Sequence, residues 1–303
     1  MKILLLGASG QVGWELARLL PNLGDVVALD RKQCDLTDLK QVQRVIRESA
    51  PDIAVNAAAY TAVDRAEREP EIARQVNAAA PAVIAEELRR TSGLLVHYST
   101  DYVFDGAKSG PYTEEDPPNP LNAYGKSKLD GELAIQESGV AHLIFRTSWV
   151  YGARGNNFLL TMLRLFEQRP ELRIVADQIG APSWCRWIAQ QTVEAIRTRC
   201  DVGGQGGEEW DGIYHMTAGG ATSWHGFASA IRERRYSQTS DRTPQLIPIA
   251  TVEYPTPARR PLNSILSNAK LETRFGLVQA GWISLLTECM SELSESFTAV
   301  KQP

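Results

Sequence analysis

The sequence predicts an α/β fold in which a doubly wound parallel sheet is followed by a smaller, irregular C-terminal domain. Three observations lead there. Short runs rich in Val, Ile and Leu alternate with longer stretches of helical periodicity through the first half of the chain, the pattern of βαβ units whose strands are covered on both faces. Three closely spaced glycines, in Gly7-Ala8-Ser9-Gly10-Gln11-Val12-Gly13, follow the first apolar run directly. After about residue 150 the alternation gives way to helices separated by Gly- and Pro-rich loops. Residues 1–150 therefore read as one domain, and 151–303 mainly as a second whose segments are free to return to the first sheet.

Taken in order, strands are predicted at Lys2 to Leu6, Asp25 to Asp30, Asp52 to Ala57, Leu94 to Ser99 and Ala141 to Thr147. Helices are predicted at Gln11 to Leu20, Asp38 to Ala50, Glu71 to Arg90 and Asn122 to Glu137, where apolar residues recur at three- and four-residue spacing. Asn122 suits an N-cap and Gly139 a stop. Further helices are predicted at Asn157 to Gln168, Trp184 to Arg199, Trp224 to Arg234 and Trp282 to Phe297, with a mobile surface loop at Asp201 to Gly207.

Composition excludes several functions. The 303 residues carry 32 Lys and Arg against 36 Asp and Glu, a net charge of −4, with no basic run that would suit nucleic acid. No stretch approaches the ~20 apolar residues that cross a membrane, and the glycines interrupt the apolar start before it could serve as a signal peptide. Cys34, Cys185, Cys200 and Cys289 stand far apart without a CxxC pair, which points to a reducing, cytoplasmic compartment without structural zinc.

The glycine segment lies between a predicted strand and a predicted helix, the context in which Gly7, Gly10, Gln11, Val12 and Gly13 bind a pyrophosphate. Glycine permits the tight turn and close approach, and the helix N-terminus attracts the anion. The fold expectation becomes Rossmann-like, and the GxxGxxG spacing resembles the short-chain dehydrogenase/reductase superfamily. Asp30 ends the second strand, where a carboxylate accepts hydrogen bonds from an adenosine ribose and favours NADH. Arg31 and Lys32 follow at once and could neutralise a 2′-phosphate, so NADPH and NADH both stay open. Asp35 and Leu36 resemble the segment that cradles adenine in this superfamily, and they also suit a cap for the next helix. Ala57, Ala58, Ala59 and Tyr60 close the third strand with small residues against which a flat cofactor can lie. Asn77 is placed to brace that loop.

Tyr124 and Lys128 are four apart and project from one helix face. Thr100, just beyond the fourth strand, brings a hydroxyl to the same edge of the sheet. Together they suit proton transfer during hydride reduction, with Lys128 pulling down the Tyr124 pKa, Thr100 holding a carbonyl oxygen and Tyr124 donating the proton.

Four segments carry a more specific resemblance: Ser99-Thr100-Asp101-Tyr102-Val103-Phe104-Asp105-Gly106, Asn122-Ala123-Tyr124-Gly125-Lys126-Ser127-Lys128, Arg146-Thr147-Ser148-Trp149-Val150-Tyr151-Gly152 and Pro257-Ala258-Arg259-Arg260-Pro261-Leu262-Asn263-Ser264. They resemble the dTDP-4-dehydrorhamnose reductase family of extended short-chain dehydrogenase/reductases. The likeness runs over nearly the whole chain and is weakest from Gly203 to Gly212. It implies the last step of dTDP-L-rhamnose synthesis, reduction of the 4-keto group of dTDP-6-deoxy-L-lyxo-4-hexulose by NADPH or NADH. By the same resemblance Thr100, Tyr124 and Lys128 are catalytic and Thr61, Val63, Asp101 and Trp149 line the sugar pocket. Arg260 or its neighbour Arg259 meets the diphosphate. Some members hold magnesium at a dimer interface through glutamates. Glu15 matches, but Gln190 and Gln191 stand where a carboxylate is expected, which disfavours magnesium while leaving it open, and Glu15 reads as a solvated helix residue. A homodimer stays open.

Rival readings are a nucleotide-sugar 4,6-dehydratase, a 4-epimerase and a non-catalytic NADP-binding regulatory subunit related to the partner of methionine adenosyltransferase. The dehydratase is disfavoured because Tyr102 stands where its expected glutamate would be.

Overall fold

The computed structural model describes residues 1–202, 207–236 and 243–299. Its centre is a six-stranded, wholly parallel sheet of β1 (Lys2–Leu6), β2 (Asp25–Leu29), β3 (Ile53–Asn56), β4 (Leu94–Thr100), β5 (Ala141–Thr147) and, from late in the chain, β10 (Gly212–His215). The spatial order is β10-β5-β4-β3-β1-β2. From β1 the chain moves outward to β2 and then crosses to β3 on the other side, so the direction of winding reverses between β1 and β3. β10 pairs with β5 in register, Tyr214 opposite Phe145, so the second half of the chain contributes the far edge of the sheet.

The continuous apolar strands serve two cores at once. Ile3, Leu5, Val55, Val96 and Phe145 face one hydrophobic cluster, while Leu4, Leu6, Ala54, Leu95 and Ile144 face another, because successive strand side chains point to opposite faces. The first face is covered by α1 (Gln11–Leu19), and the second by α2 (Leu39–Ser49) and the helices that follow β3. The edge strand β2 departs from the expected double burial: Val27 is 49% exposed, since an edge strand has no neighbour on its outer side.

One long helix was expected from Glu71 to Arg90. After the short α3 (Val63–Ala66), the chain instead forms α4 (Pro70–Arg74), one π-helical turn (Gln75–Ala79) and α5 (Ala80–Arg90). Pro81 supplies the reason. It has no N–H to give the carbonyl four residues back, that of Asn77, and its ring crowds that carbonyl. The wider turn sets Asn77 where its side chain leaves the helix.

α6 (Ala123–Ser138) begins and ends as expected, with Asn122 Oδ1 accepting from Gly125 N–H at 2.8 Å and Gly139 in the left-handed region. The next helix α7 (Phe158–Gln168) is capped by Asn157. α8 (Cys185–Val202) packs along α1, and residues 203–206 of the expected surface loop lie outside the described residues. The remaining helices are α9 (Trp224–Arg235), α10 (Ala269–Phe275) and α11 (Trp282–Ala299). Three ribbons complete the smaller half: β6 (Val150–Tyr151) with β9 (Ser183–Trp184), β7 (Glu171–Val175) with β12 (Gln245–Ile249), and β8 (Ile179–Gly180) with β11 (Thr222–Ser223). Among the described residues no helix is long and apolar enough to cross a membrane.

Candidate active site

At the reversal between β1 and β3 two loops meet. Gly7 has φ +84°, and a Cβ on it would fall 2.6 Å from Ala58 N, so only glycine lets the first loop lie against Ala57 and Ala58. A Cβ on Gly13 would lie 2.0 Å from Gly7 O; this glycine seats α1 beneath the loop rather than lining the cleft. The cleft above them has a volume of about 660 Å³, within the range of ligand sites. Gly7, Gly10, Gln11, Val12, Asp35, Leu36, Ala57, Ala58, Ala59, Tyr60, Thr61, Tyr124 and Lys128 all line it, so most of the residues nominated from sequence come together.

Others support it from outside. Asn77 Oδ1 accepts from Tyr60 N–H at 2.9 Å, while its Nδ2 donates to Tyr60 O and to Ser127 Oγ, each at 3.0 Å. The bracing role is therefore present, and it also ties α6 to the loop. Asp30 turns its Oδ1 onto the N–H groups of Lys32 and Gln33 at 2.8 and 3.2 Å and does not line the cleft, whereas Arg31 does. Asp35 is not the helix cap: Asp38 caps α2, and Asp35 Oδ1 accepts from Thr37 N–H at 3.0 Å.

The helix bearing Tyr124 and Lys128 is anchored by a buried ion pair. Arg146 Nη2 and Nε donate to Glu132 Oε2 and Oε1 at 2.6 and 2.9 Å, and Ser99 Oγ donates to the same carboxylate. The pair joins α6 to β5 and β4. Burial pushes the Tyr124 phenol up to about 12; a hydrogen bond with Thr100 moderates this and the Asp101 charge adds to it. This corrects the expected depression by Lys128. The Lys128 amine turns instead to β4, 2.6 Å from Tyr98 O and 3.1 Å from His97 Nε2, and burial brings it down to about 8 against the pull of Glu132. Tyr124 consequently keeps its proton at neutral pH.

Of the sugar-pocket candidates, Thr61 and Tyr124 line this cleft, whereas Val63, Thr100, Asp101, Trp149 and Arg260 are not among its lining residues. Asp101 is buried; its Oδ1 accepts from Thr100 Oγ1 at 3.1 Å, and burial pushes its carboxyl up to about 6 against the opposing effect of the Ser264 and Thr100 hydroxyls. Trp149 has φ +48° and stacks on Trp224 with centroids 3.5 Å apart, which covers one of its faces. Val63 opens α3, whose next residue, Asp64, holds Arg260 Nη2 at 2.8 Å. Arg260 also donates to Thr256 and sits by Tyr102, whereas Arg259 is exposed. Sequence reasoning missed Ser9, Tyr98, Thr147 and Asn156 of the lining, and also the buried His97 and Asn56. A polar residue inside an apolar strand was the one available signal for His97.

Glu15 is not solvated. It is 5% exposed, and its Oε2 accepts from Arg186 Nε at 3.0 Å; the same guanidinium meets Glu292 at 2.5 Å. A cation of the protein already lies between these carboxylates, and no group of three or more His, Cys, Asp or Glu suited to a metal occurs among the described residues. The donor set does not fit magnesium. Turnover is therefore expected to survive EDTA, and Glu15→Gln to leave kcat nearly unchanged. Loss of activity on chelation, restored by added magnesium, would refute this.

Comparison with known proteins agrees with the geometry. The family model described as the RmlD substrate binding domain matches residues 1–295. A dTDP-4-dehydrorhamnose reductase of Burkholderia thailandensis is 52% identical over 297 residues, 97% of this chain and 99% of that protein. The solved dTDP-4-dehydrorhamnose reductase of Clostridium acetobutylicum superposes with a TM-score of 0.89 at 35% identity, covering 97% of this chain and 100% of the other. That of Bacillus anthracis, in complex with NADP, superposes with a TM-score of 0.87 at 35% identity over 96% and 99% of the two chains. With the glycine turn, the Tyr124 and Lys128 pair and the parallel sheet all in place, the chain belongs to the dTDP-4-dehydrorhamnose reductase family.

Proposed function

We propose that this chain catalyses the NAD(P)H-dependent reduction of the 4-keto group of dTDP-6-deoxy-L-lyxo-4-hexulose, giving dTDP-L-rhamnose. The observation that carries it is a single cleft joining the glycine loop at the β1/β3 reversal to Tyr124 and Lys128 of α6. The loop N–H groups between Gly7 and Gly13 suit the pyrophosphate, Asp35 and Leu36 the adenine side, and Ala57 to Tyr60 the inner end. NAD(P)H, when bound, supplies the hydride. Tyr124, held protonated, donates its proton to the carbonyl oxygen as the alkoxide forms, and Thr100 Oγ1 holds that oxygen. Thr61, Val63, Asp101 and Trp149 bound the sugar, and Arg260 meets the diphosphate after exchanging part of its bond to Asp64. Residues 1–150 serve mainly the cofactor and 151–303 mainly the substrate, in a cytoplasmic enzyme whose homodimer is testable by sedimentation.

Tyr102 argues against a dehydratase. Its ring stands edge-on to Tyr124 at 5.6 Å, and burial pushes its phenol well above the ordinary range, so it offers no base for removing a C5 proton. Purified protein with NADPH and the 4-keto sugar is expected to lose absorbance at 340 nm; binding without turnover would indicate a regulatory subunit instead. Asp30→Ala is expected to shift preference towards NADPH by about tenfold in the ratio of KM values, the scale of one hydrogen bond to a charged group. An unchanged ratio would show that this carboxylate does not meet the ribose.

A further inference from the structure

Asn157 caps α7, but only one side of its amide is spent there. The side chain is 9% exposed, and its Oδ1 accepts from the Leu160 N–H at 3.1 Å. A backbone N–H can only donate, so the cap fixes the oxygen and turns the NH₂ the other way. There Nδ2 meets three oxygens: Gln11 Oε1 at 2.9 Å and the carbonyls of Gly152 and Arg154, each at 3.0 Å. An NH₂ has no acceptor to offer, so Gln11 must give its own oxygen to Asn157. The Gln11 NH₂ is thereby left on the far side of its amide, with no hydrogen-bond partner among the described residues. Gln11 is the first residue of α1 and lines the cleft. The two residues are 146 positions apart, and the bond between them ties the glycine turn to the second half of the chain.

We propose that Asn157 is a positioning residue of the cofactor site, which by holding the Gln11 oxygen turns the Gln11 NH₂ into the cleft as a donor to the pyrophosphate of NAD(P)H. This rests on the cofactor reading of the cleft. The surroundings suit an anion there. α1 starts after Gly10 without a side-chain cap and carries no acidic residue in its first turn, so its N–H groups and dipole stay available. The segment from Gly152 to Asn156 closes over the Gln11 stem. Gly155 has φ +76°, and a Cβ on it would fall 3.1 Å from Gln11 Cγ, while Arg154 lays its guanidinium 3.9 Å over the Trp14 ring of α1. Gly155 and Asn156 line the same cleft. A free glutamine side chain turns either end to an anion, and its oxygen repels one. Asn157 removes that orientation before the cofactor arrives, which is preorganisation.

Titration of the purified protein with NADPH, followed by cofactor fluorescence, tests this without turnover. Asp and Ser both cap helices, so α7 keeps its start in Asn157→Asp and Asn157→Ser. In Asn157→Asp the second carboxylate oxygen only accepts, so Gln11 turns its NH₂ back to it and its oxygen to the pyrophosphate. The NADPH Kd is expected to rise about tenfold, the scale of a hydrogen bond to a charged group. In Asn157→Ser, which frees the Gln11 amide to turn, a rise of about threefold is expected. In a Gln11→Met background the Asn157→Asp effect is expected to shrink below about twofold. Affinity for 2′-AMP, which has no pyrophosphate, is expected to stay level in every variant. An unchanged NADPH Kd in both Asn157 variants overturns the proposal. So does an equal rise with and without Gln11, which would be the added charge alone, or a parallel loss of 2′-AMP, which would be a damaged cleft. Absence of NADPH binding to the wild-type protein would overturn the proposed function as well, whereas firm wild-type binding with unmoved variants overturns this inference alone.

Discussion

Tyr124→Phe is expected to lower kcat by about 10²- to 10⁴-fold, the effect of removing a positioned acid, while NAD(P)H affinity stays nearly unchanged. The phenol is half-buried, hydrogen-bonds with Thr100 and is held near 12 by its burial. It is therefore neutral before the reaction, and the variant removes a proton donor without removing a charge from the resting site. The ring still fills its place against Tyr102 at 5.6 Å. Steady-state rates, together with a fluorescence titration of NADPH, check the claim. Equal losses in affinity and turnover would make Tyr124 a structural residue.

The largest effect on stability is expected from Glu132→Ala. Glu132 and Arg146 side chains are 0% and 2% exposed and are joined by two hydrogen bonds. Removing the carboxylate leaves a buried guanidinium uncompensated, a change that costs about 3–5 kcal/mol and is readable as a lower urea midpoint at constant slope. Since the same pair seats α6, turnover should fall as well. Replacing both partners by Met is expected to restore much of the stability, because the opposing charge is gone with its partner. A Glu132→Ala protein within about 1 kcal/mol of wild type would show that α6 is anchored by its apolar contacts.

The readable parts of this molecule are those whose physics acts over a few residues. Alternation of Ile3 and Leu5 with Leu4 and Leu6 in a continuous apolar run identifies a strand buried on both faces. Three spaced glycines between strand and helix identify a tight turn at a helix N-terminus, and a four-residue spacing puts Tyr124 and Lys128 on one helix face. The π-turn that positions Asn77 has a local cause in Pro81, yet helical periodicity hides it, because one inserted backbone residue barely disturbs the pattern of apolar positions.

By itself the sequence determined the parallel α/β architecture, the glycine turn between β1 and α1, and the placing of the Tyr, Lys and Thr hydroxyl and amine groups at one sheet edge. Only the tertiary structure decided how these groups are charged and what they touch. The partners of Glu15 and Arg260 lie 171 and 196 residues away, His97 meets Lys128 across 31, and Arg146 grips α6 from a neighbouring strand. A pKa or an ion pair depends on desolvation and on distances of a few ångströms. Those quantities do not exist until the elements pack, so Glu15 could read as solvated and Tyr124 as acidified in a chain whose folded form buries the one and holds the proton on the other.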